Sequence, residues 1–272
     1  MRPPLSKDTQ LCISLAGRPS NIGTKFHNYL YDQLGLDFIY KAFTTTDIDA
    51  AIGGVRALGI RGCSVSMPFK EAVIPLVDKV EPSARAIHSV NTIVNDDGHL
   101  TASNTDYLAV QRLIDDYALE TSHTVLIRGS GGMASAVGAA FRDSGFHSGV
   151  VVARNPEAGR ALAGRLDYDY ASDVGTRTAP IIVNVTPIGM SGGPEESEAA
   201  FDDATIAKAH IVFDVVALPS ETPLIKAARA AGVKVITGAE VIALQAAEQF
   251  ERYTGVRPTP EQVAEASAIS RA

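Results

Sequence analysis

Cysteine and positive charge are both scarce in this chain of 272 residues. The two cysteines, Cys12 and Cys63, are too few for a disulfide framework, and neither has a second cysteine at metal-ligand spacing. We expect both to be buried thiols. The formal net charge of -7 argues against nucleic acid or an anionic membrane as the main partner, because both bind clustered Lys and Arg.

Long apolar runs are absent as well. No stretch approaches the length of a membrane span, and the N-terminus lacks the apolar region of a secretory signal. The six histidines show no metal-ligand spacing, and there is no nucleophile elbow, phosphate-binding lysine loop or zinc motif. The sequence therefore predicts a cytoplasmic protein without a metal cofactor, and it does not support a hydrolase or a kinase.

The chain does contain a regular alternation of strand and helix patterns. Hydrophobic residues make up 46% of it and charged residues 20%, as in ordinary globular proteins, and its length favours two domains. Apolar runs at 11–16, 38–43 and 62–70 predict strands with helices between them, which is typical of a parallel α/β sheet. Turn residues at 95–98 predict a hairpin, which we expect at an antiparallel edge of this sheet.

The second half repeats the alternation in a more regular form. A helix from Asp106 to Tyr117 leads into strands predicted at 124–128, 149–153, 181–185, 211–215 and 233–236. We therefore predict an α/β protein with an N-terminal α/β substrate lobe, residues 1–105, and a Rossmann-type doubly wound dinucleotide-binding lobe, residues 106–237. Helices within 238–272 are expected to return to the first lobe.

A glycine-rich turn stands where the second lobe would bind a nucleotide. Between a predicted strand and a predicted helix, Gly129 permits a tight turn, Gly131 lets backbone amides approach a pyrophosphate, and Ala134 allows close helix packing. The next strand ends at Arg154, where NAD-preferring proteins usually carry an acid. Arginine instead offers a fork of donors for a 2′-phosphate, so the sequence predicts NADP. The alternative is a glycine-rich turn beside a solvated arginine.

Lys70 and Asp106 are the candidate catalytic groups. A hydroxyl that is oxidised by loss of hydride must also lose a proton, so a dehydrogenase needs a base beside the reacting carbon. A lysine amine positioned by a carboxylate can serve. Taken alone, Lys70 could equally be a surface lysine and Asp106 a helix N-cap.

Read together, the motifs make the chain resemble the shikimate dehydrogenase family over nearly its whole length. The matching stretches are Ser66 to Lys70, Ser89 to Thr92, Asn104 to Asp106, Gly129 to Gly132, Asn184 to Met190, Glu221 to Leu224, and Gln245 with Ala246.

The resemblance implies an NADP-dependent oxidoreductase of aromatic amino acid biosynthesis, in the chorismate pathway. It would transfer hydride reversibly between NADPH and the 3-position of a cyclic hydroxy or keto acid of the shikimate type. Lys70 and Asp106 would form the catalytic pair, and Asn91 and Gln245 would hold substrate hydroxyls. Ser66 stands where the family has a substrate-binding threonine.

The resemblance also implies a set of cofactor contacts. The pyrophosphate would lie against Gly129, Ser130, Gly131, Gly132, Met133 and Ala134. Arg154 and Asn155 would hold the 2′-phosphate, Met190 and Gly238 would contact the nicotinamide, and Thr186 completes the set. The simpler alternatives are that Asn91 is a hairpin residue, Gln245 a solvent-facing helix position and Met190 a core residue.

The N-terminal loop departs from the family pattern. The family offers two serines to the substrate carboxylate, and in this chain those positions hold Asn21 and Gly23, with Thr24 in place of a proline. Each lost hydrogen bond to a charged group costs roughly 1.5–3 kcal/mol, so two would weaken transition-state binding of shikimate by orders of magnitude. The side chains that could compensate are Ser14, Ser20, Asn21 and Thr24.

A second departure is Ala217, which replaces a tyrosine near the nicotinamide. The chain therefore resembles a divergent shikimate dehydrogenase-like branch. We expect a monomer or homodimer that binds a small cyclic hydroxy acid. The alternatives are a dehydrogenase for quinate, aminoshikimate or another small hydroxy acid, and a catalytically weak NADP-binding sensor.

Overall fold

The computed structural model describes residues 2–271, which form two compact units. One unit comprises the chain up to Thr105 and the segment from Ala243 onwards, and the other runs from Asp106 to Ile242. The end positions of the predicted lobes, Met1 and Ala272, lie outside the described residues. Two six-stranded sheets are present, one in each unit.

The first unit alternates strands and helices before it ends in a hairpin. Its strands are β1 (Gln10–Leu15), β2 (Phe38–Phe43), β3 (Gly62–Val65), β4 (Lys79–Val80), β5 (Thr92–Asp96) and β6 (His99–Ser103). Its N-terminal helices are α1 (Ile22–Leu34), α2 (Ile48–Ala57) and α3 (Pro82–Arg85), with a 3₁₀ turn at Ile74–Leu76.

The sheet of the first unit is mixed, in the order β2-β1-β3-β5-β6-β4. The predicted hairpin is confirmed: β5 and β6 are antiparallel and joined through Asp97 and Gly98, whose positive φ angles of 50° and 89° suit a two-residue turn. Its expected position at the edge is wrong, because β4 pairs with β6 in parallel. That strand has only two residues, too few to give a sequence pattern.

The second unit has the Rossmann arrangement. Its strands are β7 (Val125–Arg128), β8 (Gly149–Val152), β9 (Asp169–Ala171), β10 (Ile181–Asn184), β11 (Ile211–Asp214) and β12 (Lys234–Thr237). Their order is β12-β11-β10-β7-β8-β9 and every pairing is parallel, which is the doubly wound order when β7 is counted first. The sequence pattern missed β9, a strand of three residues.

The helices of the second unit connect these strands. They are α5 (Gly132–Asp143), α6 (Pro156–Leu166), α7 (Asp203–Ile206) and α8 (Pro223–Ala230). Two helices, α4 (Thr105–Asp116) and α9 (Gly238–Thr254), carry the chain from one unit to the other, and α10 (Pro260–Arg271) follows in the first unit. The helix predicted from Asp106 therefore begins one residue earlier.

Apolar packing in the first unit explains the helical spacing of its sequence. Phe26 and Leu30 lie one turn apart on α1 and are buried with Phe250 of α9. Gly62 is required because a Cβ there would lie 2.3 Å from the ring of Tyr253. Both cysteines are free and fully buried, as expected, and burial raises the pKa of the Cys12 thiol to about 12.

Candidate active site

The glycine turn after β7 has the geometry of an anion-binding helix start. Gly129 has a φ of 130°, and a Cβ there would lie 2.7 Å from Val185 Cγ2, so only glycine fits. A Cβ on Gly131 or Gly132 would meet nothing within 4 Å. The start of α5 therefore has open space beside its glycines, and backbone amides at a helix start can bind a phosphate group.

This turn forms one wall of a cleft of about 880 Å³ in the second unit. The other walls come from the end of β8 and from the loop after β10. Of the predicted cofactor residues, the structure brings together in the lining Gly129, Ser130, Gly131, Arg154, Asn155 and Thr186. Ala134 is fully buried in the first turn of α5, consistent with a packing role, and Met133 is half-buried beside it.

The two residues predicted to hold a 2′-phosphate differ in how strongly other groups of the protein bind their side chains. The Asn155 side-chain oxygen accepts from the backbone N–H groups of Glu157 and Ala158, at 3.0 and 3.2 Å, and so caps α6. Arg154 is 75% exposed and forms an ion pair with Glu195 at 3.4 Å. Its guanidinium stands at the cleft with a weak, solvent-screened partner, which a ligand phosphate can replace.

The predicted nicotinamide contacts, Met190 and Gly238, follow β10 and β12. Met190 is 42% exposed and sits in a loop whose first turn is closed by the hydrogen bond from its N–H to Pro187. Gly238 begins α9, and a Cβ there would lie 2.4 Å from the Val215 carbonyl oxygen. Glycine thus lets the helix start approach the β11 loop closely.

The Thr186 hydroxyl is committed to a buried network that sequence reasoning missed. It donates to Asn184 at 2.6 Å, and the Asn184 amide donates to the Asp214 carboxylate at 3.0 Å. Asp214 is fully buried at the end of β11, where burial raises its pKa and the Thr222 hydroxyl donates to it at 2.6 Å. Through its bonds to Thr186, this network holds the loop after β10, which lines the cleft.

In the first unit, backbone hydrogen bonds gather the predicted substrate residues at one end of the sheet. The N–H of Val65 donates to the carbonyl of Asn91, and the N–H of Val90 donates to the carbonyl of Lys70, both at 2.8 Å. The N–H of Ser66 donates to Leu15 at 2.9 Å. The chain that carries Ser66 and Lys70 is therefore clamped directly beside Asn91.

The Asn91 side chain is oriented by Thr92 and Thr105. Its oxygen accepts from the Thr92 hydroxyl at 2.8 Å and from the Thr105 N–H and hydroxyl at 2.8 and 3.1 Å. The Thr105 hydroxyl also lies 3.3 Å from the Gln245 side-chain oxygen. Because protein donors occupy the Asn91 oxygen, what this side chain can offer a ligand is its N–H₂ group. Asn91 is thus no ordinary hairpin residue.

Lys70 and Asp106 belong to different units. Lys70 follows β3 in the first unit, and Asp106 lies in the first turn of α4, directly after Thr105 in the chain. Asp106 is thus a helical residue rather than an N-cap. Their pairing stays a prediction.

The N-terminal loop presents few side-chain donors. Ser20 and Asn21 are exposed, while the Thr24 hydroxyl is buried and has no hydrogen-bond partner among residues 2–271. A Cβ on Gly23 would lie 3.4 Å from the Tyr40 hydroxyl. Burial raises the pKa of that hydroxyl, and the nearby hydroxyls of Ser14 and Ser64 oppose the rise. Ser14 itself is half-buried in β1.

Gln249 is a further residue of this site that the sequence did not reveal. It is 5% exposed, and its amide donates to the Thr92 hydroxyl at 3.1 Å and to the Asn91 carbonyl at 3.4 Å. It thus supports the groups that orient Asn91. The signal in the sequence was its position one helical turn after Gln245, on the same face of α9.

We expect the Gln249→Leu substitution to lower the free energy of unfolding by about 1–3 kcal/mol, because the buried Asn91 carbonyl and Thr92 hydroxyl lose their donor. Gln33→Leu, on the exposed part of α1, is the matched control and should change stability by less than about 0.5 kcal/mol. Urea unfolding followed by circular dichroism measures both. Equal stabilities of the two variants would contradict a supporting role for Gln249.

Within residues 2–271, none of the helices combines the length and the apolar character that crossing a bilayer requires. In the same residues, no three His, Cys, Asp or Glu side chains gather in a way that could hold a metal ion.

The fully parallel sheet and its glycine turn define a Rossmann-type dinucleotide-binding fold in the second unit. Comparison with known proteins agrees. The family model described as the shikimate dehydrogenase substrate binding domain matches residues 21–93. A shikimate dehydrogenase-like protein of Haemophilus influenzae is 59% identical over 267 residues, which are 98% of each chain.

A protein of Chlorobium phaeobacteroides named shikimate dehydrogenase (NADP(+)) is 37% identical over 87% of this chain and 88% of its own. The solved structure of a shikimate 5-dehydrogenase-like protein is 58% identical and superimposes with a TM-score of 0.98, covering 99% of this chain and 100% of the other. The chain belongs to the shikimate dehydrogenase family of oxidoreductases, in a divergent shikimate dehydrogenase-like branch.

Proposed function

We propose that this protein transfers hydride reversibly between NADPH and the 3-keto or 3-hydroxy position of 3-dehydroshikimate and shikimate, or of a close relative. The observation that carries the proposal is the hydrogen-bonded set of Asn91, Thr105 and Gln245 beside the Lys70 segment, in a chain of this family. Such a set can bind the hydroxyl groups of a cyclic polyol acid, which need several fixed donors and acceptors.

Lys70 and Asp106 carry the proton chemistry in this proposal. The nicotinamide supplies the acceptor or donor of hydride when it is bound. The Lys70 amine takes the hydroxyl proton as the alcohol becomes a ketone and returns it in the reverse direction, while Asp106 orients the amine and contacts the same hydroxyl.

The other substrate hydroxyls are assigned to side chains according to the hydrogen-bond donors and acceptors that protein contacts leave unoccupied. The Asn91 N–H₂ group donates to one substrate hydroxyl, because its oxygen is taken by Thr92 and Thr105. Gln245 holds a second hydroxyl. Ser66 is exposed at the end of β3 and contributes its hydroxyl on the same side.

The second unit supplies a fitting site for NADP. Open space in front of Gly131 and Gly132 suits the pyrophosphate, and Arg154 stands at the end of β8, where the fold reads the adenosine ribose. The 37% identical relative is named as an NADP(+) enzyme. Asn155 keeps its amide for the 2′-phosphate, while Met190 and Gly238 would adjoin the nicotinamide.

Replacing Arg154 with alanine should weaken NADP+ binding by about 10- to 100-fold, the value of one charge-assisted hydrogen-bonded contact to the 2′-phosphate. NAD+ lacks this phosphate, so its affinity should change less than about threefold. Isothermal titration of both nucleotides measures the ratio. Arg229→Ala, an exposed arginine paired with Glu221, is the control. An equal loss for NADP+ and NAD+ would discard the 2′-phosphate role.

The N-terminal loop makes a relative of shikimate a second candidate substrate. With Asn21 and Gly23 in place of two serines, the exposed polar side chains that the loop offers a carboxylate are Ser20 and Asn21, while the Thr24 hydroxyl is buried. Quinate, aminoshikimate and other small hydroxy acids are therefore alternatives. A catalytically weak NADP-binding sensor is the alternative from another class.

The test is an assay of NADP+ reduction with shikimate, quinate and aminoshikimate, together with titrations of NADP+ and NAD+. Turnover of shikimate above that of the other acids supports the proposal, and a preference for another acid of the panel selects the second candidate. Tight NADP+ binding without turnover of any of them would overturn the enzyme and favour the sensor.

A further inference from the structure

A second arginine, Arg128, lines the nucleotide cleft, directly before the first residue of the glycine motif. Arg128 is the last residue of β7 and directly precedes Gly129. Strand β7 is otherwise buried and apolar, so a charged side chain at its end is unusual. Arg128 lines the same cleft as Arg154, in the part of the second unit where β7 and β8 end side by side.

The Arg128 guanidinium is surrounded by a hydrogen-bond acceptor and by other charged groups. Its guanidinium donates to the carbonyl oxygen of Ala200. It is half-buried, and burial lowers its pKa, while the charges of Glu195, Arg154 and Glu198 also act on it. A guanidinium has five N–H donors, so one bond to a carbonyl leaves donors that can turn to a ligand.

The Glu195 carboxylate acts on the charge of both arginines. It pairs with Arg154 at 3.4 Å and raises the pKa of Arg128 as the largest charge effect on that group. Its backbone carbonyl accepts from the N–H of Gly189 at 2.9 Å, which holds this part of the loop in place. The side chain is only 24% exposed, so it is not a fully solvated surface acid.

We propose that Arg128 and Arg154 together form the site for the dianionic 2′-phosphate, and that the Glu195 carboxylate occupies this site until the phosphate displaces it. This inference rests on the proposed NADP dependence. Two guanidinium groups match the charge of a phosphate dianion better than one, and they bind it through paired N–H donors. In the free protein the single negative charge of Glu195 offsets part of the repulsion between the two arginines, and a ligand anion must displace it from Arg154.

The site therefore selects for the nucleotide in two ways. A 2′-phosphate gains contacts with both arginines. NAD+ brings a neutral hydroxyl, which cannot replace Glu195, so the carboxylate stays on Arg154 and the ribose gains no ionic contact. The preference for NADP+ over NAD+ then depends on Arg128 and on Glu195 as well as on Arg154.

The test is isothermal titration of NADP+, NAD+ and the fragment 2′,5′-ADP into wild type, Arg128→Met and Glu195→Gln. Arg128→Met should raise the Kd for NADP+ and for 2′,5′-ADP by about tenfold or more, the value of one charge-assisted contact, and that for NAD+ by less than about twofold. Glu195→Gln should lower the Kd for NADP+ by about three- to fivefold, as expected when a partly exposed ion pair no longer has to break.

The controls are Arg229→Met and Glu221→Gln, which alter an exposed ion pair outside the cleft lining. Both should leave all three affinities unchanged. Arg128→Lys is a second variant, which keeps the charge but loses the fork and should fall between wild type and Arg128→Met. Circular dichroism checks that each variant is folded.

The inference is overturned if Arg128→Met leaves the ratio of NADP+ to NAD+ affinity unchanged, or if Glu195→Gln weakens NADP+. Its failure is distinguishable from failure of the proposed function. If the NADP+ preference depends on Arg128 but no acid is turned over, the proposed dehydrogenase activity is wrong and the two-arginine phosphate site is supported. A wild type that binds neither NADP+ nor 2′,5′-ADP overturns the site itself.

Discussion

The Lys70→Met variant should lose about 10²- to 10⁴-fold in kcat for oxidation of the preferred hydroxy acid, the contribution of a positioned general base. Methionine keeps the length and most of the volume of the side chain but cannot take a proton. Because the Lys70 backbone is held by Val90 and its neighbours, the fold of the first unit should persist. The KM should change much less than kcat, since the lost interaction belongs to the transition state.

Steady-state kinetics in both directions measure this effect. Lys79→Met is the matched control, because Lys79 is an exposed lysine on the edge strand β4 of the same unit. Its kcat should equal that of the wild type. If Lys70→Met has the same kcat as the control, Lys70 is not the general base. If only KM rises, Lys70 binds the substrate without taking part in proton transfer.

Acidification from pH 7.5 to pH 5 should lower the free energy of unfolding of the wild type by about 2 kcal/mol through one buried histidine, His27. Its ring is fully buried, stacks on Tyr40 at a centroid distance of 4.4 Å, and has neither nitrogen hydrogen-bonded within residues 2–271. Burial lowers the pKa of His27 to about 3, and the neighbouring Gln249 amide opposes this shift as the smaller effect.

The direction of the pH effect follows from the proton count. Between pH 6.5 and 3 the unfolded chain protonates this imidazole and the folded chain does not, so protons favour unfolding. The stabilising contribution is complete above pH 6.5 and is lost as the pH falls towards 3. The rings of Tyr31, Tyr40 and Tyr253 also surround His27, and burial raises their pKa values, so they stay uncharged throughout this range.

The measurement is urea unfolding at pH 7.5 and pH 5 for wild type, His27→Phe and His147→Phe. Phenylalanine keeps a ring against Tyr40 but binds no proton, so His27→Phe should lose about 2 kcal/mol less on acidification than wild type. His147 is exposed, and its variant should follow the wild type. An identical pH dependence of wild type and His27→Phe would contradict a buried neutral imidazole.

Local patterns were enough to predict much of the fold. Strands β1, β2 and β7, the hairpin of β5 and β6, and the glycine turn all have signals within a few residues, namely apolar runs, turn residues and glycines. The two short strands β4 and β9 lacked such a signal, because two or three residues show no periodicity. They form only where a neighbouring strand offers unpaired backbone groups.

Side-chain roles were less accessible to the sequence. Asn91 and Gln245 could be named from the family motif, but Thr105 and Gln249 were found only because they lie within hydrogen-bonding distance of these groups or of Thr92. Residues 91, 105 and 249 are far apart in the chain. Only tertiary contacts bring them together, and no local pattern marks a buried Gln that supports another amide.

The sequence by itself determined the two-lobed α/β class, the glycine turn, and an arginine at the end of β8, because local patterns of a few consecutive residues mark each of them. The tertiary structure alone decided which atoms remain available. It occupies the Asn91 oxygen with protein donors and pairs Glu195 with Arg154. A hydrogen bond or ion pair depends on distances between residues remote in the chain, and only the folded protein specifies these distances.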